Sequence, residues 1–171
     1  MNRPLIVTAA FEPPVQQRLE AMRRRYYPAE RNVVGAHLTL FHALPPALGP
    51  YLSALLRQAT CAARPPAARL MGLRRLGGGF AIDVAAPELV ALHQLLTQRL
   101  GPCLSRQDAQ RFWPHVTVQN KVSAAQAETD LLAAQDDFAP LDSALPALQL
   151  WRYENGPWAH LGDYAFAHRA V

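Results

Sequence analysis

Two short runs in this chain each set a histidine and a threonine two residues apart. They are Ala36-His37-Leu38-Thr39-Leu40-Phe41 and Trp113-Pro114-His115-Val116-Thr117-Val118-Gln119-Asn120-Lys121. On a strand, side chains alternate faces with a period of two. His37 therefore shares a face with Thr39, and His115 with Thr117, while Leu38, Leu40, Val116 and Val118 turn toward a core. An imidazole titrates close to neutral pH, so of two imidazoles framing a site one can accept a proton while the other donates one. The hydroxyls beside them can donate hydrogen bonds to negative charge that develops between them. Taken singly either histidine reads as structural, but two such strands brought face to face would frame a site able to hold a paired acid and base.

The remaining elements must do that positioning. Pro4 to Phe11 reads as a buried strand, and Glu12-Pro13-Pro14 opens a helix that runs to about Tyr27. Arg23, Arg24 and Arg25 fall at its C-terminal end, where cations complement the helix dipole; a solvated end is the plain reading and RNA contact the other. The first His-x-Thr strand runs to Leu44, followed by a helix from about Pro50 to Ala63 with Leu52, Leu55 and Leu56 on one face. Strands over Ala68–Leu76 and Phe80–Ala85 are joined by Gly77-Gly78-Gly79, a hairpin turn without the lysine and spacing of a phosphate loop. A helix over Pro87–Leu100 precedes the second motif strand, His115 to Val122. Ser123 then caps a helix to about Gln135. Strands over Ala147–Glu154 and Trp158–Phe166 meet at the turn Asn155-Gly156-Pro157. The order of motif strand, helix, strand, turn, strand thus occurs twice, roughly eighty residues apart. Duplication about a pseudo-twofold axis explains it and brings the two motif strands together. No linker separates independent units, so residues 1–171 read as one domain.

The chain carries a net charge of +4 over 171 residues, with half of them apolar, which fits a globular protein with an anionic partner. Lys121 is its only lysine. Cys61 and Cys103 lack metal-ligand spacing and read as free buried thiols. Neither a signal peptide nor a membrane span is evident, so a cytoplasmic location is expected. His93, His160 and His168 are scattered and read as structural or exposed, and no cysteine joins them in a zinc-like set.

The pairs His37-Leu-Thr39-Leu and Pro114-His115-Val-Thr117-Val resemble the two HxTx motifs of the 2H phosphoesterase superfamily, which includes the 2′-5′ RNA ligase-like proteins and the RNA cyclic phosphodiesterases. The resemblance implies an α+β fold of two pseudo-twofold-related lobes. Each lobe would hold an antiparallel sheet with helices outside, and the active-site groove would lie between them. It implies that His37, Thr39, His115 and Thr117 are catalytic. The expected function is metal-independent hydrolysis of a 2′,3′-cyclic phosphate or 2′-5′ phosphodiester, with ligation as the possible reverse and no cofactor. The partners expected are RNA bearing such an end or a small cyclic nucleotide, taken by a monomer. A module that binds RNA ends without turnover competes with this reading, although a pure binder has no need of a matched acid and base. Related proteins often carry an arginine shortly after the second motif, where this chain has Gln119, Asn120 and Lys121. Counting by twos from His115 puts Gln119 and Lys121 on the cleft face and Asn120 opposite, and the same count from His37 turns His42 away. Phe41 and Trp113 could stack on a base, with Phe41 the substrate-binding candidate of the two, although core packing is the favoured reading of such side chains.

Overall fold

The computed structural model describes residues 3–167. Its elements are β1 (Leu5–Ala9), α1 (Pro13–Tyr26), β2 (Leu38–Leu44), α2 (Gly49–Cys61), β3 (Ala67–Leu76), β4 (Gly79–Ala85), α3 (Pro87–Leu100), β5 (His115–Gln119), α4 (Ala124–Asp137), β6 (Leu141–Ala144), β7 (Ala147–Tyr153) and β8 (Trp158–Ala165). Prolines open α1, α2 and α3, where the missing N–H costs nothing and the fixed φ favours the first turn. At α4 the Ser123 hydroxyl accepts from the Gln126 N–H at 3.2 Å. The β3–β4 turn is two residues long, Gly77-Gly78, and Asn155 takes a left-handed φ of 61° in the β7–β8 turn.

The strands form a single antiparallel sheet in the order β6-β3-β4-β5-β2-β1-β7-β8. Outward from the centre, β5 is followed by β4, β3 and β6, and β2 by β1, β7 and β8. The two halves hold four strands each, which is consistent with the lobed expectation, but they join as one continuous sheet rather than as a separate sheet in each lobe. α1 packs on β5 and α4 on β3 and β4, while α2 packs on β7 and β8. α3 reaches β2 through the His93 ring, which stacks on Phe41 at 4.7 Å. Each half of the sheet is thus covered by one helix from each half of the chain. The sequence repeat is therefore offset from the structural one. The β3–β4 hairpin joins β5 through its second strand, whereas the β7–β8 hairpin joins β1 through its first. β6, four residues long on the sheet's edge, is too short to show a periodic pattern and is not evident from the sequence.

The buried apolar side chains make one cluster that includes Leu38, Leu40, Phe41, Leu56, Leu70, Phe80, Ile82, Leu89, Leu96, Val116 and Val118. Fully burying such a Leu, Ile or Phe contributes about 1.5–3 kcal/mol. Free thiols are present, but Cys61 is exposed and Cys103 half-buried, so the expectation that they are buried does not hold. His168 lies outside the described residues. Among the described residues, no helix is long and apolar enough to cross a membrane.

At the centre of the sheet, β2 and β5 pair at one position only, Leu38 with Val116. These are the residues between the His and Thr of each motif. Both are essentially fully buried, which leaves the His and Thr side chains on the opposite face. The next residue of each strand breaks the alternation. Thr39 and Phe41 pair with the consecutive residues Thr8 and Val7, which leaves Leu40 as a bulge. Thr117 and Gln119 pair with Ala81 and Phe80, which leaves Val118 as a bulge. A bulge inserts one residue and reverses the parity of the residues after it. Leu40 and Phe41 are both buried, as are Val118 and Gln119. Gly79 permits the second bulge, because a Cβ there would sit 2.0 Å from the Gln119 carbonyl oxygen.

Candidate active site

The paired motifs line one groove of about 340 Å3, into which His37, Thr39, His115 and Thr117 all face. The two histidines are held alike. His37 Nδ1 lies 2.6 Å from the Gly35 carbonyl and His115 Nδ1 lies 2.8 Å from the Trp113 carbonyl, each two residues upstream. A carbonyl only accepts, so in both rings Nδ1 carries the hydrogen and Nε2 is the nitrogen left for proton transfer. Burial pushes the His37 pKa down to about 4; the Gly35 carbonyl opposes this, and Arg23, His42 and His115 reinforce it. Burial lowers the His115 pKa as well, with the Trp113 carbonyl and Asp83 opposing. Both imidazoles are therefore neutral in the empty groove near pH 7, each with a lone pair on Nε2.

The two bulges decide which further side chains reach the groove. Five residues beyond each motif histidine, His42 and Asn120 line it, against the simple count by twos. Gln119 is the first correction. It is 1% exposed, and its Nε2 donates to the Tyr26 carbonyl and the Asp130 carboxylate rather than to the groove. Phe41 is the second. It is wholly buried and stacks on His93, which Phe112 covers in turn at 4.1 Å. Lys121 is the third. It lies past the end of β5 with φ at 67°, exposed and outside the groove lining. His93 has the structural role expected of it, and His160 is exposed, paired with Asp163 at 3.0 Å.

Trp113 serves the site as a support. Its ring stacks on His115 at 4.2 Å, and the Arg74 guanidinium lies 4.3 Å over it. Two planar groups at these distances cannot share one face, so the indole has none left for a base. Asp83 fixes the assembly by accepting from Trp113 Nε1 at 2.8 Å and pairing with Arg74 at 3.0 Å. On the other side, Trp158 of β8 leans on His37 at 4.6 Å with the planes 49° apart, and it lines the groove.

Arg23 is the residue that the sequence reading misplaced. It is 4% exposed rather than solvated, and its guanidinium lines the groove. Nε donates to Asn32 at 2.8 Å and Nη1 to the Thr117 carbonyl at 2.7 Å, and the group lies 4.0 Å over the Tyr27 ring. Burial lowers its pKa, with Tyr27 and Glu20 opposing, yet an arginine stays charged. Only the spacing back from Tyr26 and Tyr27, which keeps Arg23 on the face of Leu19, could have signalled this. Arg31 also lines the groove, and no Asp or Glu does among the described residues. Two guanidinium groups, three imidazoles and two threonine hydroxyls converge in a lining that holds no carboxylate, which suits an anion. Among the described residues, no three His, Cys, Asp or Glu side chains are grouped so as to hold a metal ion.

Solved structures of similar fold include TT0787 of Thermus thermophilus, with TM-score 0.69, 20% identity and coverage of 97% of this chain and 98% of that one. LigT of E. coli complexed with 3′-AMP matches with TM-score 0.65 and 18% identity, over 98% of this chain and all of that one. No curated protein matches the chain in sequence. The family model of the 2′-5′ RNA ligase superfamily matches residues 11–157, a span that takes in both His-x-Thr strands and the helix that carries Arg23. On that match the chain belongs to the 2′-5′ RNA ligase superfamily.

Proposed function

We propose that the groove hydrolyses a 2′,3′-cyclic phosphate or a 2′-5′ phosphodiester at the end of RNA or in a small nucleotide. The observation that supports this most directly is the convergence of two imidazoles held in the same tautomer, each with Nε2 free, in a cationic groove. A phosphodiester carries one negative charge. Bound between His37 and His115, it favours protonation of one of them, which offsets the burial that keeps both neutral when the groove is empty. The neutral imidazole takes a proton from water as its oxygen attacks phosphorus. The bond from phosphorus to the ribose oxygen breaks in line, and the protonated imidazole gives its proton to that oxygen. The Thr39 and Thr117 hydroxyls donate to the non-bridging oxygens, and Arg23, anchored on the Thr117 carbonyl, balances the charge. Run backward, the same steps join ends, which is the ligase direction.

The family membership and the similar fold of a LigT complexed with 3′-AMP and with phosphate agree with a phosphate ligand. The deciding experiment is a panel of 2′,3′-cyclic mononucleotides, 2′-5′ dinucleotides and RNA ending in a cyclic phosphate. Turnover of at least one class, unaffected by chelator, is the expected result. Tight binding of all three without turnover would instead make the protein a binding module. The profile of kcat/KM against pH should be bell-shaped, with its optimum below the ~6.5 of a free imidazole, because burial lowers both histidines. An optimum above about pH 8 would mean that other groups carry the protons.

A further inference from the structure

We propose that His42 is a third substrate-contacting imidazole, aimed into the groove by the buried Asp108 to bind phosphate oxygens without taking part in proton transfer. The proposal rests on the reading of the groove as a phosphate site and adds a residue that neither motif contains. His42 enters the groove because the bulge at Leu40 reverses the strand's parity. The matching bulge at Val118 brings Asn120 to the equivalent place in the other half, so one pseudo-symmetric position holds an ionisable ring and the other a neutral amide.

The surroundings of His42 are built for orientation. Its side chain is 41% exposed, whereas that of Asp108 is fully buried. His42 Nδ1 lies 3.1 Å from Asp108 Oδ1, which also accepts from the His42 backbone N–H at 2.7 Å. Asp108 Oδ2 accepts from the Ala43 N–H at 3.0 Å and the Ser105 hydroxyl at 2.9 Å. Burial alone would raise the Asp108 pKa. The four hydrogen bonds, two of them from His42, outweigh it and hold the carboxyl below its usual range. A carboxylate only accepts, so Nδ1 carries the hydrogen and Nε2 is the nitrogen left for the groove. His42 is also near enough to both motif histidines for its charge to depress their pKa values. A phosphate oxygen only accepts, so the contact requires a hydrogen on Nε2 as well, and His42 would meet the ligand as an imidazolium whose other side rests on the Asp108 carboxylate. Asp108 acts as a positioning residue, because it reaches the ligand only through His42.

The test measures dissociation constants for inorganic phosphate and for a 3′-mononucleotide by calorimetry on the whole protein. His42→Asn keeps an amide N–H near the place of Nδ1 for Asp108 and removes the groove-facing nitrogen. It should weaken both ligands about tenfold, the size of one charged hydrogen bond, and should raise KM more than it lowers kcat. Asp108→Asn should weaken phosphate in the same direction. Gln107→Ala changes an exposed side chain of the same loop that makes no contact with the Asp108 carboxylate, and it should leave binding unchanged. Unchanged phosphate affinity in a folded His42→Asn variant overturns the proposal, and so does a Gln107→Ala loss equal to that of Asp108→Asn. A protein that binds phosphate through His42 but turns over no cyclic phosphate would sink the hydrolase reading alone, so the two failures are distinguishable.

Discussion

On the β5 side of the groove, His115 is backed by an indole gripped between two planar groups. On the β2 side, His37 meets a tilted indole that still lines the groove. The strands carry the same pair of residues, the same bulge and the same Nδ1 contact to a carbonyl two residues upstream. They differ in the groups that stand behind them. Trp113 with Arg74 and Asp83 is a rigid wall, and Arg23 adds charge at Thr117 on the same side. The β2 side instead offers Trp158 and the ionisable His42. As a phosphoesterase site, this near-symmetric frame would supply matched proton carriers, and its asymmetric surroundings would tell the two ends of a ligand apart. Phosphate charge would be met from β5, from α1 and from His42 of β2, and an aromatic surface would be offered from β8.

The comparison can be broken most severely at its shared feature. His37→Ala and His115→Ala should each cost on the order of 10²–10⁴ in kcat, since each removes one proton carrier. Steady-state kinetics on the best substrate of the panel checks this, and a variant with near-normal turnover would end the two-histidine mechanism. The next effect lies on the β5 side. Arg23→Lys keeps the charge but cannot reach both Asn32 and the Thr117 carbonyl, so it should lower stability by about 1–3 kcal/mol. Urea denaturation measures that loss, which should come with a raised KM. Trp158→Ala should weaken a mononucleotide about tenfold or more, in line with the worth of one stacked base, while leaving inorganic phosphate unaffected. Equal losses for both ligands would mean that Trp158 only props up His37. The smallest effect is expected at Lys121. Lys121→Met should leave affinity and its salt dependence unchanged, because the side chain points out beyond the strand end, and a clear loss would restore the simple strand count.

The elements were largely legible in the sequence because each has a local cause. Proline at the helix starts, serine before α4, glycine at the β3–β4 turn and the alternation around each motif all act within a few residues. The His and Thr pairs were legible for the same reason, since the bulges fall just after them. The positions beyond were not. A bulge at Leu40 or Val118 depends on which neighbouring strand pairs there, and Gly79 approaches the Gln119 carbonyl from another part of the chain. Counting by twos therefore misplaced Gln119, Lys121 and His42 together, through one cause. Arg23 and Asp108 were hidden for a related reason. Each reaches the site across a long separation in sequence, Arg23 to Thr117 and Asp108 to His42.

The exchange of strands between the halves of the sheet bears on how the protein comes to exist at all. β3 and β4 lie beside β5, while β7 and β8 lie beside β1, so no contiguous stretch of chain builds half the sheet. A ribosome that has released the first motif has made strands whose neighbours are not yet synthesised. Pairings this distant in sequence slow folding, because the loops must close before any contact rewards them. A chain cut between α3 and β5 would give two pieces, each holding one of the two motif histidines and neither able to complete its own half of the sheet. Mixed together, they should clasp through β4–β5 and β1–β7 and recover the groove, whereas neither piece alone should show a cooperative unfolding transition. The two motif histidines would then arrive together, and only once the whole chain has closed.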